Sequence, residues 1–187
     1  MLIIGITGTL GAGKGTVVEY LVSQYGFTHF SVRTFLLEEI RKRGYEENRD
    51  SMVRLANEMR TLHGPSTIIE RLYEMAAEKN NNCIIESIRT PGEITALRQK
   101  QHFYLLAVDA EQTTRYERIR IRNSETDRIS FETFKGNEER EMHADDPAKQ
   151  NLSACISQAD HVIYNNGRIE DLHQEVDLFI RKLDIAL

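Results

Sequence analysis

Tryptophan is absent, cysteine occurs twice, and no apolar run approaches the length of a membrane span in these 187 residues. Cys83 and Cys155 stand alone in unrelated contexts, which excludes a disulfide framework and a cysteine-built metal cage and fits a reducing compartment. The first residues carry no charged stretch ahead of their apolar run, so no leader is expected and the expected location is cytoplasmic. Excess positive charge is also missing. A formal net charge of -5 excludes broad nucleic-acid binding, though a local basic surface for a phosphorylated small molecule remains open. The six histidines show no metal-ligand spacing, and no Ser/His/Asp or Cys/His set stands out. There is no internal repeat and no low-complexity tract. With 40% hydrophobic and 28% charged residues, the chain has the composition of an ordinary globular protein, long enough for one domain (1–187) with a substantial core.

What is present is a glycine loop. Gly8-Thr9-Leu10-Gly11-Ala12-Gly13-Lys14-Gly15-Thr16 follows the apolar run Leu2-Ile3-Ile4-Gly5-Ile6 and leads into a helical pattern. Strand, glycine loop and helix N-terminus together make a cradle for polyphosphate. Glycine lets the backbone approach an anion closely, successive N–H groups point inward, and the helix start adds unpaired donors. Lys14 would reach the β- and γ-phosphates of a nucleotide, and Thr16 would offer a hydroxyl to a metal ion. Gly15 stands where the P-loop rule has Ser or Thr. A glycine-rich turn without a ligand is the bland alternative.

Val17, Val18, Leu21, Val22 and Tyr25 recur at helical spacing, and Gly26 ends that helix. Residues 27–31 read as a second strand. Helices are expected from Phe35 toward Gly44, across Val53 to Leu62, after a Ser66 cap, from Pro91, and from Thr113 to Arg122. Cys83-Ile84-Ile85, residues 103–108 and residues 161–165 suit buried strands, and Ile169 to Leu183 forms an amphipathic closing helix. Five strands alternating with helices imply an α/β fold in three layers, a parallel sheet covered on both faces. Residues 123–146 are polar, and a mobile excursion is expected there rather than core.

Glu86 ends the third strand, at the sheet edge where α/β ligands bind. Beside a P-loop such an acid suits Mg²⁺, directly or through water; capping the next helix or pairing with arginine is the alternative. Arg89 follows, able to fork onto a phosphate or merely to pair with Glu93. Arg115, Arg118 and Arg122 share a helix face, and Arg128 and Arg140 lie in the polar segment. Phosphoryl transfer needs such positive charge around the transferred group; a solvated basic face balanced by Glu111, Glu117 and Glu125 is the alternative.

The stretches IIGITGTLGAGKGT, IIESIRTPGEI, RYERIRIRNSETD, EEREM and ADHVIYNNGRIEDL together resemble the P-loop nucleoside-monophosphate kinases, nearest to archaeal-type, adenylate-kinase-related proteins described as dephospho-CoA-kinase-like. The Gly-Lys-Gly-Thr variant is the one adenylate kinases carry. The resemblance implies a five-stranded P-loop NTPase fold, with core 1–31, 80–122 and 150–187, an acceptor-binding helical region about 32–79 and a lid about 123–149. It implies ATP and Mg²⁺ as cofactors and a small phosphate acceptor as partner. Under it, the loop residues Gly8, Gly11, Ala12, Gly13, Lys14, Gly15 and Thr16 bind phosphate, with Lys14, Arg118 and Arg122 catalytic. Arg89 grips the acceptor, Arg128 and Arg140 belong to the lid, and Asn165 and Gly167 line the adenine. One region departs. Where adenylate kinases have aspartate and arginine after the second strand, this chain has Thr34 and Leu37, so Arg33 or Arg60 would have to substitute. Three functions follow as expectations: phosphoryl transfer to a (deoxy)nucleoside monophosphate, phosphorylation of a dephospho-CoA-like hydroxyl, or slow ATP hydrolysis by a nucleotide-dependent switch.

Overall fold

The innermost strand is β1 (Ile3–Gly8), with all six residues buried. In this computed structural model, which describes residues 1–122, 129–143 and 149–186, β1 lies between β3 (Cys83–Glu86) and β4 (Phe103–Asp109). β2 (Thr28–Ser31) flanks β3 and β5 (His161–Tyr164) flanks β4, giving the order β2-β3-β1-β4-β5, parallel throughout. Strands buried on both faces read as unbroken apolar runs, which is why β1, β3 and β4 lack alternation. Ile6 is opposite Glu86 and Gly8 opposite Val108, so the loop after β1 and the Glu86 side chain emerge at one sheet edge.

Helices α1 (Lys14–Tyr25) and α9 (Ile169–Ala186) cover one face, packing Val17, Leu21, Val176 and Phe179 around Ile4 and Ile6. On the other face lie α2 (Val32–Lys42), α3 (Arg49–His63), α4 (Thr67–Lys79), α5 (Pro91–Arg98) and α8 (Leu152–Ser157), with Ile40, Leu55, Ile68 and Ile94 packed around Ile3 and Ile85. The fold is a three-layer α/β arrangement, a five-stranded parallel sheet covered by helices on both faces. α6 (Gln112–Arg122) and α7 (Phe131–Met142) complete the described elements.

Local chemistry sets the ends. Gly26 adopts φ 68° and returns its N–H to Leu21 and Val22, closing α1. Thr90 at the cap and Glu93 in the first turn form a reciprocal capping box that brackets Pro91 at the start of α5. Ser66 occupies the cap position of α4, but its side chain makes no cap hydrogen bond. α8 had no counterpart in the sequence reading. The larger difference is α7. The polar segment was expected to be an excursion without core, yet its described part is a 12-residue helix whose Phe134 is 1% exposed. Phe134 and Phe131 pack on Tyr116 of α6 at ring distances of 5.5 and 5.1 Å, so three aromatics anchor an otherwise charged helix. Among the described residues no helix is long and apolar enough to cross a membrane.

Candidate active site

The loop between β1 and α1 is built as a cradle. Gly8, Gly11 and Gly13 have φ of 130°, 82° and 103°, a region costly for any residue with a Cβ. A Cβ on Gly8 would also run into the Val108 carbonyl. Ala12 is fully buried, and its carbonyl accepts a hydrogen bond of 2.8 Å from Asn165 Nδ2. Thr9 Oγ1 donates to Asp109 Oδ1 at 2.5 Å, tying the loop to the end of β4. Gly15 has open space around it, so its lack of a side chain is not forced by packing. Thr16 is half-buried on the first turn of α1.

Lys14 folds over this loop. Its Nζ donates to the carbonyls of Gly8 (3.0 Å) and Thr9 (2.7 Å). Burial, and after it the positive charge of Arg89, lower its pKa to about 8, while Glu86 and Glu141 pull the other way. A triphosphate would supply the negative charge that this ammonium lacks.

Glu86 lies where β3 ends, and Ser87 beyond it turns through φ 73°. Glu86 Oε2 lies 3.0 Å from His29 Nε2 of β2. That hydrogen bond holds the Glu86 carboxyl below the usual carboxylate range despite burial, with the charges of His29, Lys14 and Arg89 adding to it. The alternative of an arginine partner for Glu86 is replaced by a histidine one.

Arg89 is not paired to Glu93 through its guanidinium. The buried Glu93 carboxylate instead accepts the backbone N–H groups of Arg89 (2.8 Å) and Thr90 (3.1 Å) and, at 2.9 Å, Nη2 of Arg60. Arg60 is thereby committed to an ion pair whose side chains are 8% and 1% exposed, and its Nε has no hydrogen-bond partner among the described residues. Arg33 is exposed on the first turn of α2. The Arg89 guanidinium reaches Glu141 Oε2 on α7 and Gln150 Oε1, both at 3.0 Å.

The α6 arginines separate by depth. Arg115 is buried, with Nε on the Ala110 carbonyl, Nη1 on the Leu10 carbonyl and a fork onto Glu138 of α7 at 2.6 and 2.8 Å. At Arg115 the alternative of a solvated face does not hold: the side chain is a buried strut between the loop and α7. Arg118 Nη1 donates to the Asn165 carbonyl at 2.8 Å. Arg122 is exposed on the last turn of α6. Arg140 is turned along its own helix, to the Gly136 carbonyl and Asn137 Oδ1, and Arg128 lies outside the described residues. α7 presents the carboxylates of Glu138 and Glu141 to Arg115 and Arg89. Asn165 and Gly167 line part of a groove of about 390 Å³ between β5 and α9, although the Asn165 amide nitrogen is spent on the loop.

A family model described as an AAA domain matches residues 4–144. The chain belongs to the AAA domain family. A UPF0200 protein of Methanothermobacter thermautotrophicus is 31% identical, over 98% of this chain and 91% of that one. The UPF0200 protein MMP1282 of Methanococcus maripaludis is 28% identical over 98% of each. Among solved structures, this AAA domain superposes on a gluconokinase from Sinorhizobium meliloti 1021 (TM-score 0.61, 14% identity, 97% and 93% of the two chains). It also superposes on shikimate kinase from Bacteroides thetaiotaomicron (0.59, 13%, 96% and 98%) and dephospho-CoA kinase from Campylobacter jejuni (0.54, 16%, 97% and 96%). At these identities the likeness is one of fold.

Among the described residues of this AAA domain no three His, Cys, Asp or Glu side chains converge as a metal cage. Glu86 and Thr16 offer one carboxylate and one hydroxyl. That donor set fits Mg²⁺, which keeps waters and takes its remaining ligands from substrate phosphates. His29, Glu138, Glu141 and Gln150 were missed from sequence. Only the pair Glu138/Glu141, three apart on one helix face, left a local signal.

Proposed function

We propose that this protein transfers the γ-phosphoryl group of ATP, with Mg²⁺, to a (deoxy)nucleoside monophosphate. The observation that carries the reading is the glycine cradle of Gly8, Gly11 and Gly13 with Lys14 folded over it, and Glu86 opposite Ile6 at the same carboxyl edge of the sheet. In this reading the loop amides and Lys14 hold the triphosphate, and Glu86 and Thr16 hold the metal. Arg89 orients the acceptor phosphate, and Arg118 and Arg122 neutralise charge on the transferred group. An acceptor phosphate oxygen attacks the γ-phosphorus, the bond to the bridging oxygen breaks, and ADP leaves. Mg²⁺ would supply charge neutralisation across the phosphates. No covalent enzyme intermediate is needed; alignment and preorganised positive charge lower the barrier. Residues 32–79 would carry the acceptor side and 123–149 the lid. The kinase neighbours support phosphoryl transfer as the class of reaction.

The test is ADP formation from ATP·Mg²⁺ across a panel of ribo- and deoxynucleoside monophosphates and dephospho-CoA, with product identification. A steep rise with one monophosphate is expected, and Lys14→Ala should lower kcat about a hundredfold or more. Arg89→Ala should act mainly on acceptor KM. Phosphorylation of dephospho-CoA alone would move the acceptor class to a hydroxyl. Slow turnover indifferent to every acceptor would replace the kinase with a nucleotide-dependent switch.

A further inference from the structure

We infer that Glu141 is a competing occupant of the acceptor site: it holds Arg89 until the phosphate group of an acceptor displaces it. The inference rests on Arg89 serving the acceptor, as proposed above, and goes beyond it in naming what the acceptor must displace.

Arg89 is fixed at its backbone and engaged at its tip. Its N–H is held by Glu93 at 2.8 Å, and its carbonyl accepts the Asn151 N–H at 2.9 Å. The guanidinium can therefore change partners only by side-chain rotation. Its partners are the Glu141 carboxylate and the Gln150 amide oxygen, each at 3.0 Å.

Glu141 is not a casual surface partner. It is 19% exposed and is delivered by a helix held at two further points. One turn before it, Glu138 forks onto Arg115, and Phe134 is buried beneath the helix. The gap between α7 and the loop, bordered by Thr9, Leu10, Phe134 and Glu141, is about 10 Å³, the room of about one water. The helix thus places a carboxylate next to the phosphate loop, and Lys14 feels its charge.

A competing group must bring more than Glu141 does. Glu141 gives Arg89 one contact from a monoanion. A phosphate monoester carries up to two negative charges and three acceptor oxygens, enough for a fork. It also repels the Glu141 carboxylate, so acceptor entry and Glu141 displacement become one event. A neutral nucleoside offers nothing for which Arg89 would leave its carboxylate. The affinity for a phosphate-bearing acceptor is therefore reduced by the cost of displacing Glu141, and a nucleoside, which does not call on Arg89, does not bear that cost.

The experiment is a calorimetric titration of inorganic phosphate, and of AMP, GMP, CMP and dTMP beside their nucleosides, into the full chain. Runs are made with and without a non-hydrolysable ATP analogue and Mg²⁺. Wild type is compared with Glu141→Gln, Glu141→Asp, Arg89→Ala and the Arg89→Ala/Glu141→Gln double variant, after thermal melts confirm folding. Glu141→Gln should bind phosphate and a monophosphate about tenfold tighter, with nucleoside affinity unchanged. The Asp variant, which keeps the charge but shortens its reach, should fall between, and the double variant should lose the gain. Hydrogen exchange over α7 should quicken on adding phosphate to wild type and not to Glu141→Gln. Equal or weaker phosphate binding in both Glu141 variants would overturn the inference. Failure of the ATP analogue to bind wild type would instead sink the kinase reading, and the phosphate titrations without nucleotide would still judge Glu141.

Discussion

Asn165 Nδ2 donates to the carbonyl of Ala12 at 2.8 Å across 153 residues of sequence, so the end of β5 fixes the floor of the glycine loop. The same residue takes Arg118 on its own carbonyl. Asn165→Ala should remove the support and leave a buried carbonyl unpaired, costing about 1–3 kcal/mol. Thermal or urea unfolding measures the loss, and titration with ATP·Mg²⁺ should show weaker binding in parallel. Unchanged stability would mean that the loop holds its shape without β5.

Glu93 carries a second long-range dependence. It pairs with Arg60 and holds the N–H groups of Arg89 and Thr90 at once. Glu93→Ala strands a buried guanidinium, and removing one partner of a buried ion pair costs about 3–5 kcal/mol. The double variant Arg60→Met/Glu93→Leu should recover much of that in unfolding experiments. It should not recover acceptor KM, because the backbone anchor of Arg89 stays lost.

Lys14 makes two predictions about pH. Its folded pKa, brought to about 8 by burial and by Arg89, lies below the unfolded value of 10.5. The unfolded chain therefore binds more protons between those values, and this group adds stability as pH rises through that window; below it the cost of the buried ammonium is fully present. Nucleotide binding should respond in the opposite direction. Phosphates favour the ammonium, so ATP affinity should weaken above about pH 8. Calorimetry in buffers of different ionisation enthalpy should detect proton uptake on binding, and Lys14→Arg should flatten the pH profile.

The glycine loop, the buried strands and most helices were legible because each is a local pattern: a run, a period or a cap. α7 was not, since its one buried contact, Phe134, sits among charged residues and is held by Tyr116 from another helix. The partners of the site arginines were hidden for the same reason. Arg115 meets Glu138 and Arg89 meets Glu141, at separations of 23 and 52 residues that no helical or strand period connects. Arg60 was read, beside Arg33, as a substitute for the acceptor arginine absent at Leu37. Its neighbour in space, Glu93, instead completes a buried pair. His29 beside Glu86 depends on β2 pairing with β3, which strand order alone reveals.

The account stands most directly on a calorimetric titration of ATP·Mg²⁺ into the wild-type chain and into Lys14→Ala. It predicts saturable one-site binding by wild type, weakened at least about tenfold by the variant, the scale expected when a charge-assisted contact to phosphate is lost. A flat titration of wild type with both ATP and GTP, or equal binding by the two proteins, would contradict it.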